Sequence, residues 1–267
     1  YENKYYKYED PEYSITQTPL NEQDLKTMSE AVEVLRQFKG FSYFTEMSDI
    51  INRLEDHVAS ARMKTTPVID FEKNESLKGL DYLDTIYHAI VNEHPIQLKY
   101  RSFKARSANS FIFYPYLLKE YRNRWFVYGV RGNGRILQNL ALDRIQSLEV
   151  LPQEHYIKNT FFDPNTFFDD LVGVTKNSGS VAEKVGFKVA AAEAPYIITK
   201  PIHRSQQLVE RLPDGSVILE IEVVINHELE RVFFGYVDGI EILYPKTLVE
   251  LMSRKLEKAA KQYTKSK

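Results

Sequence analysis

Apolar positions in the first third of the chain recur every three or four residues. From Asn21, which suits an N-cap, Leu25, Met28, Val32 and Leu35 share one side up to the stop signal at Gly40. A second helix is predicted over about Thr45–Ala61, with Ile50, Leu54 and Val58 in a stripe. A third, over about Leu77–Asn92, aligns Leu80, Leu83, Ile86, Tyr87 and Ile90. Ahead of these helices Tyr5 to Tyr8 alternate as a short strand, and Pro11 and Pro19 keep the next stretch extended.

After Asn92 the period drops from 3.6 to 2. Ile96, Leu98 and Tyr100 alternate with Gln97, Lys99 and Arg101, and further strands are predicted at Phe111–Leu118, Trp125–Arg131, Ile136–Leu142 and Ser147–Leu151. Gly132, Asn133 and Gly134 read as a hairpin turn, because these residues tolerate positive φ. Short antiparallel strands at this spacing predict a small β-barrel, whose closure leaves few free edges. Residues 153–180 read as a linker with a helical turn or two near Pro164–Leu171.

The remainder gives a strand at Lys184–Val189, a helix or turn at Ala191–Ile198, and a hairpin of Gln206–Arg211 and Ser216–Ile225 around Pro213, Asp214 and Gly215. A helix at Glu228–Tyr236, a strand at Ile240–Leu243 and a last helix from Lys246 follow, the last with Leu248, Met252, Leu256 and Ala259 as its stripe. That order is β-α-β-β-α-β plus a terminal helix, the split βαβ pattern of an α+β sandwich.

Composition narrows what such a chain does. Its 267 residues are 43% hydrophobic, enough for two modest domains, and the complete lack of cysteine excludes disulfides, thiol nucleophiles and Cys-ligated zinc. No run approaches the length of a membrane span, so the expectation is a cytoplasmic protein without membrane contact. The overall charge of −2 announces no nucleic-acid partner, but its distribution is uneven. Between Gln97 and Arg144 there are ten basic residues and only two acidic ones, Glu120 and Asp143; elsewhere acids outnumber bases 35 to 25. Seven of the ten are arginine, whose planar fork suits phosphate and stacks on rings.

Aromatic residues are interleaved with that cationic island, a composition suited to a nucleotide or a single-stranded nucleic acid. For a phosphate-bearing ligand, Arg101, Arg124, Arg131 and Arg144 would bind phosphates, Tyr100, Tyr116 or Trp125 would stack on a base, and Ser102 and Asn139 would fix orientation. Structural alternatives stand beside these roles: an ion pair with Asp143 for Arg144, core packing for Tyr100 and Trp125, and a turn or sheet-edge role for Asn139. Catalysis finds no support. The six histidines have no metal spacing, no Gly-x-Ser-x-Gly elbow occurs, and Gly132-x-Gly134 lacks the rest of a dinucleotide fingerprint. No enzyme, metal or cofactor is expected.

Three stretches carry a family resemblance: Phe113-Tyr114-Pro115-Tyr116-Leu117-Leu118, Arg124-Trp125-Phe126-Val127-Tyr128-Gly129, and Leu140-Ala141-Leu142-Asp143-Arg144-Ile145. Together they resemble the WYL-domain transcriptional regulators of bacteria, with Trp125-Phe126-Val127 at the eponymous Trp-Tyr-Leu. Phe126 departs from the family tyrosine, and Ala141 stands where many members carry arginine. The resemblance implies an α+β chain. Residues 1–20 would be the exit of a truncated winged helix-turn-helix with a linker, and 21–92 a helical linker segment. An Sm/SH3-like WYL barrel at 93–152, a linker at 153–180 and a ferredoxin-like WCX domain at 181–267 would follow.

The function so implied is the ligand-sensing and dimerisation part of a regulator. It would form a homodimer, take a nucleotide or single-stranded nucleic acid effector on the barrel, and meet operator DNA only through the amino-terminal head. The alternative is an assembly module that mediates self-association or protein contact with no small ligand.

Overall fold

The computed structural model describes residues 78–264, apart from 133 and 135, together with the helical positions 24, 27 and 49. The expected strand near Tyr5 and nearly all of the helices expected at 21–40 and 45–61 lie outside the described residues. The chain divides into two compact units, Tyr1–Asp84 and Thr85–Lys267, and the second contains both sheets described below. The third expected helix begins as a 3-10 turn, Leu80–Tyr82, and continues as α1, Leu83–Val91, burying Leu83, Ile86 and Ala89.

The first sheet contains β1 (Ile96–Tyr100), β2 (Asn109–Tyr121), β3 (Arg124–Arg131), β4 (Leu137–Ala141) and β5 (Ile145–Val150). All pairings are antiparallel and the order is β4-β3-β2-β1-β5. The two halves of β2 serve different neighbours: Asn109–Phe113 pairs with β1, and Phe113–Tyr121 with β3. Within the second half the register shifts between Pro115 and Leu117, where proline has no N–H to give a ladder. Opposite Pro115, Gly129 is required by close approach, since a Cβ there would lie 2.1 Å from the Tyr114 carbonyl oxygen.

The expected closed barrel is not formed. β4 and β5 are the two edges and share no hydrogen bonds, because β5 is taken up by β1 and β4 by β3. The sheet is nevertheless strongly curled. Only the 3-10 turn Leu142–Arg144 carries the chain from one edge to the other, a span of about 8 Å at the rise of such a helix. In a flat five-stranded sheet those edges would be about 19 Å apart. The curl brings Tyr100, at the end of β1, against Ala141 and Arg144.

The second sheet contains β6 (Glu183–Val189), β7 (Gln207–Arg211), β8 (Val217–Val223) and β9 (Ile240–Tyr244), again antiparallel, in the order β7-β8-β6-β9. With α2 (Ala194–Thr199), α3 (His227–Phe234) and α4 (Lys246–Thr264) the element order is the expected β-α-β-β-α-β plus a helix. Strand alternation sends Val185, Phe187 and Val189 of β6, and Val217, Leu219, Ile221 and Val223 of β8, into one core. Leu229 and Phe233 of α3 and Leu248 and Met252 of α4 close it, with Phe187 and Phe233 edge-to-face at 5.2 Å.

The connection between the sheets is more than a spacer. The helical turn or two expected near 164–171 takes the form of successive turns: Phe167 N–H donates to the Asp163 carbonyl at 2.9 Å and Leu171 N–H to the Phe168 carbonyl at 3.1 Å. A continuing helix would turn Phe162, Phe167 and Phe168 to different sides, whereas here all three rings lie within 6.2 Å of the Tyr128 ring.

Candidate functional site

Tyr100 ends β1, Arg101–Ala108 form the loop to β2, Arg124 opens β3, and Asp143 and Arg144 lie in the 3-10 turn. The curl of the sheet therefore collects residues from three distant stretches of chain. Arg124 Nη2 is 3.3 Å from Asp143 Oδ2, and Arg144 Nε is 3.9 Å from Asp143 Oδ1. The second separation is too long for a hydrogen bond, and both of its atoms are buried without a partner among the described residues. Burial raises the Tyr100 phenol above its ordinary 10.0, an effect opposed by the Arg144 guanidinium beside it.

Two guanidinium groups thus share one carboxylate, which leaves net positive charge at the site. Arg124 remains 47% exposed along its side chain and Arg144 27%, so both can meet solute. The Arg144 guanidinium also lies 4.5 Å from the centre of the Phe103 ring. Phe103 is 72% exposed, unusual for a phenylalanine with no covering element, and it offers a flat apolar face beside the cations. Arg101 N–H donates to the Arg144 carbonyl at 3.1 Å, and Ala105 N–H to the Ser102 carbonyl at 2.9 Å, which shapes the loop carrying the ring.

The nine residues expected at a ligand site divide into two groups. Tyr100, Arg101, Ser102, Arg124 and Arg144 come together around Asp143 and Phe103. Arg131 does not: it ends β3, about 23 Å of strand from Arg124, and lies 4.1 Å over the Phe111 ring. Trp125 follows Arg124 directly, so strand alternation turns it to the other face of the sheet.

Tyr116 and Asn139 lie under the linker. Tyr116 is buried, stacks on Phe161 at 6.1 Å and meets Tyr156 edge-on at 6.1 Å, and burial pushes its phenol up to about 12. Among the described residues its hydroxyl has no hydrogen-bond partner. Asn139 Nδ2 donates to the Val174 carbonyl at 2.6 Å, and the Tyr128 hydroxyl donates to the same oxygen. Phe103 and Asp143 are the site residues that sequence reasoning missed. Phe103 carried a signal, as the one aromatic residue in the basic run Arg101–Arg106.

Among the described residues no group of three or more His, Asp or Glu side chains could hold a metal ion, and no helix is long and apolar enough to cross a membrane.

Comparison with curated proteins finds no match. Among solved structures, proteasome accessory factor B/C (PafBC) of Arthrobacter aurescens matches 75% of this chain at 16% identity with a TM-score of 0.32, and the chain spans 30% of that protein's length. A crystal structure of a CRISPR Cas-related protein matches 95% of this chain and 90% of its own at 11% identity, with a TM-score of 0.47. Likenesses this distant carry no argument about function. The family comparison is more direct: the WYL domain matches residues 81–150 and the WCX domain residues 182–260, together more than half of the chain. These matches fall on the curled sheet with α1 and on the split α+β sheet, and the chain belongs to the WYL-domain family, carrying a WYL domain followed by a WCX domain.

Proposed function

We propose that this chain is the sensing and dimerisation part of a transcriptional regulator, and that its WYL domain receives a nucleotide or a short single-stranded nucleic acid. The observation that carries this reading is the pairing of exposed Phe103 with Arg144 and Arg124 at one end of the curled sheet. A base stacks on the Phe103 ring, while the two guanidinium groups, only partly neutralised by Asp143, take the phosphates. Tyr100, Arg101 and Ser102 line the approach. The role is binding rather than catalysis. In this reading the WYL and WCX domains correspond to Sm-like and ferredoxin-like modules, the protein is a cytoplasmic homodimer through its carboxy-terminal domain, and operator DNA is read by a winged helix-turn-helix rather than by this part.

Titration of short fluorescent single strands at two salt concentrations tests the proposal. Log K falls with log[salt] at a slope of about −0.7 for each phosphate held. Phe103→Ala weakens binding by about 10-fold, within the range for loss of one base–aromatic stack. Salt-independent binding, or full affinity in both Phe103→Ala and Arg144→Ala, overturns the assignment.

A further inference from the structure

One two-stranded ribbon joins the candidate ligand site to the linker. β3 and β4 pair with Tyr128 opposite Asn139 and Phe126 opposite Ala141. Arg124 and Asp143, the bridged pair, lie two residues beyond that last rung, about 13 Å of strand from the Tyr128–Asn139 rung. On the Tyr128–Asn139 rung both side chains donate to one acceptor, the Val174 carbonyl of the linker. β4 is an edge strand, hydrogen-bonded to β3 alone, and it runs straight into the 3-10 turn that carries Asp143 and Arg144. The same short strand is therefore tethered by the ligand site at its end and by the linker at its middle.

Beyond Val174 the linker is held by the WCX domain. The Asn226 side chain caps α3 by accepting Leu229 N–H at 2.8 Å, and its amide nitrogen donates to the Val172 and Thr175 carbonyls. A shift of Val174 thus reaches the first turn of α3 through a single carboxamide.

Asp143 makes this ribbon responsive to an anion. Its side chain is only 15% exposed and is compensated by the guanidinium groups of Arg124 and Arg144. A phosphate taken up by those same two groups lies beside a like charge in a poorly solvated position, and the two anions repel. We propose that anion capture by Arg124 and Arg144 displaces Asp143 and the end of β4, loosens the hold of Asn139 and Tyr128 on Val174, and so unlatches the WYL domain from the first turn of α3. Opening the latch opposes binding, so by linkage a chain whose latch is already weakened binds the anion more tightly. This inference rests on the ligand reading above and gives that site an output.

Two measurements on the whole chain test it. In the first, a short fluorescent oligothymidylate is the ligand. Asn139→Ala, which lacks half of the latch, binds about 5-fold more tightly than the unsubstituted chain, the lower end of ordinary coupling between sites. An Asn139 that only supports the fold would leave affinity unchanged or lower it. In an Asp143→Asn background the same substitution gains nothing, because the repelled charge is gone. In the second measurement no ligand is present. Arg124→Gln withdraws compensation from Asp143 as the phosphate would, and speeds hydrogen exchange in residues 172–176 while the core amides of β6 and β8 keep their protection. Oligothymidylate affinity that does not rise in Asn139→Ala, or exchange at 172–176 unchanged in Arg124→Gln, overturns the latch. If neither the unsubstituted chain nor Asn139→Ala binds the strand while Arg124→Gln still speeds that exchange, the latch stands and the ligand assignment falls.

Discussion

The carboxamide of Asn139, on an edge strand of the WYL sheet, donates to the carbonyl of Val174 at 2.6 Å. The Tyr128 hydroxyl occupies the same oxygen, so both of its lone pairs are engaged from the WYL side. On either side of Val174, at Val172 and Thr175, the partners belong to the WCX domain. Thr175 Oγ1 donates to Glu228 Oε1 at 2.7 Å, and Asn226 Nδ2 donates to the carbonyls of Val172 and Thr175 at 3.0 and 2.9 Å. Four residues of linker backbone are thereby held by side chains from two domains, in addition to the aromatic packing around Tyr128.

Asn139→Ala removes one of these anchors without touching the candidate ligand site. A buried hydrogen bond lost in this way costs about 1–3 kcal/mol. Tyr128→Phe removes the other donor to the same carbonyl, and the double variant costs more than the sum of the two, since only then is the Val174 oxygen left with neither. Urea denaturation of the four proteins measures the coupling.

Gly173 is the position in the linker that tolerates least. Its φ is +95°, and a Cβ would lie 2.5 Å from Cγ of Glu228, itself buried. Gly173→Ala therefore combines backbone strain with a collision against a side chain that also receives Thr175, and the loss exceeds the roughly 1 kcal/mol usual for alanine at positive φ. A lowered melting temperature, with earlier proteolytic cleavage between residues 153 and 180, reports it.

Tyr116→Phe has the opposite sign. The hydroxyl is buried with no hydrogen-bond partner among the described residues, and deleting it relieves a desolvation penalty of about 1–3 kcal/mol while keeping the ring against Phe161 and Tyr156. The variant is at least as stable as the parent and binds nucleotide unchanged, because the ring lies beneath the linker. An affinity loss in this variant would return Tyr116 to the ligand site.

Stability also depends on a histidine. His203 is buried, its Nδ1 is 2.7 Å from Ser205 Oγ, and burial, aided by Arg204, lowers its pKa below the ordinary 6.5. The unfolded chain thus takes up the proton at higher pH than the folded one. The contribution of His203 is complete above about pH 6.5 and is lost as pH falls from there through the lowered folded value. Denaturation midpoints across pH 5 to 8 show this slope, and His203→Gln flattens it.

Legibility followed burial. The WCX core could be read because Val185, Phe187 and Val189, and the β8 residues opposite them, alternate without interruption and face one core. The curl of the WYL sheet could not, since it depends on how few residues join β4 to β5 and on the break at Pro115, neither of which has a hydrophobic period. The candidate site was legible in part for the same reason. Arg124 and Arg144 stood out by charge, but their convergence on Asp143 is a tertiary fact, and Arg131 shares their charge while lying at the far end of its strand. Asn139 and Tyr116 pack against the linker, whose four phenylalanines show no helical or strand period.

Because the Val172–Thr175 carbonyls answer to donors fixed on both domains, the number of residues in that segment is set by geometry. Relatives can be expected to lengthen or shorten the chain at the glycine turn near Gly179, where a Cβ would meet nothing within 4 Å, but not between Val172 and Thr175. One inserted residue there would shift every later carbonyl out of step with Asn226, and the spacing of the two domains with it.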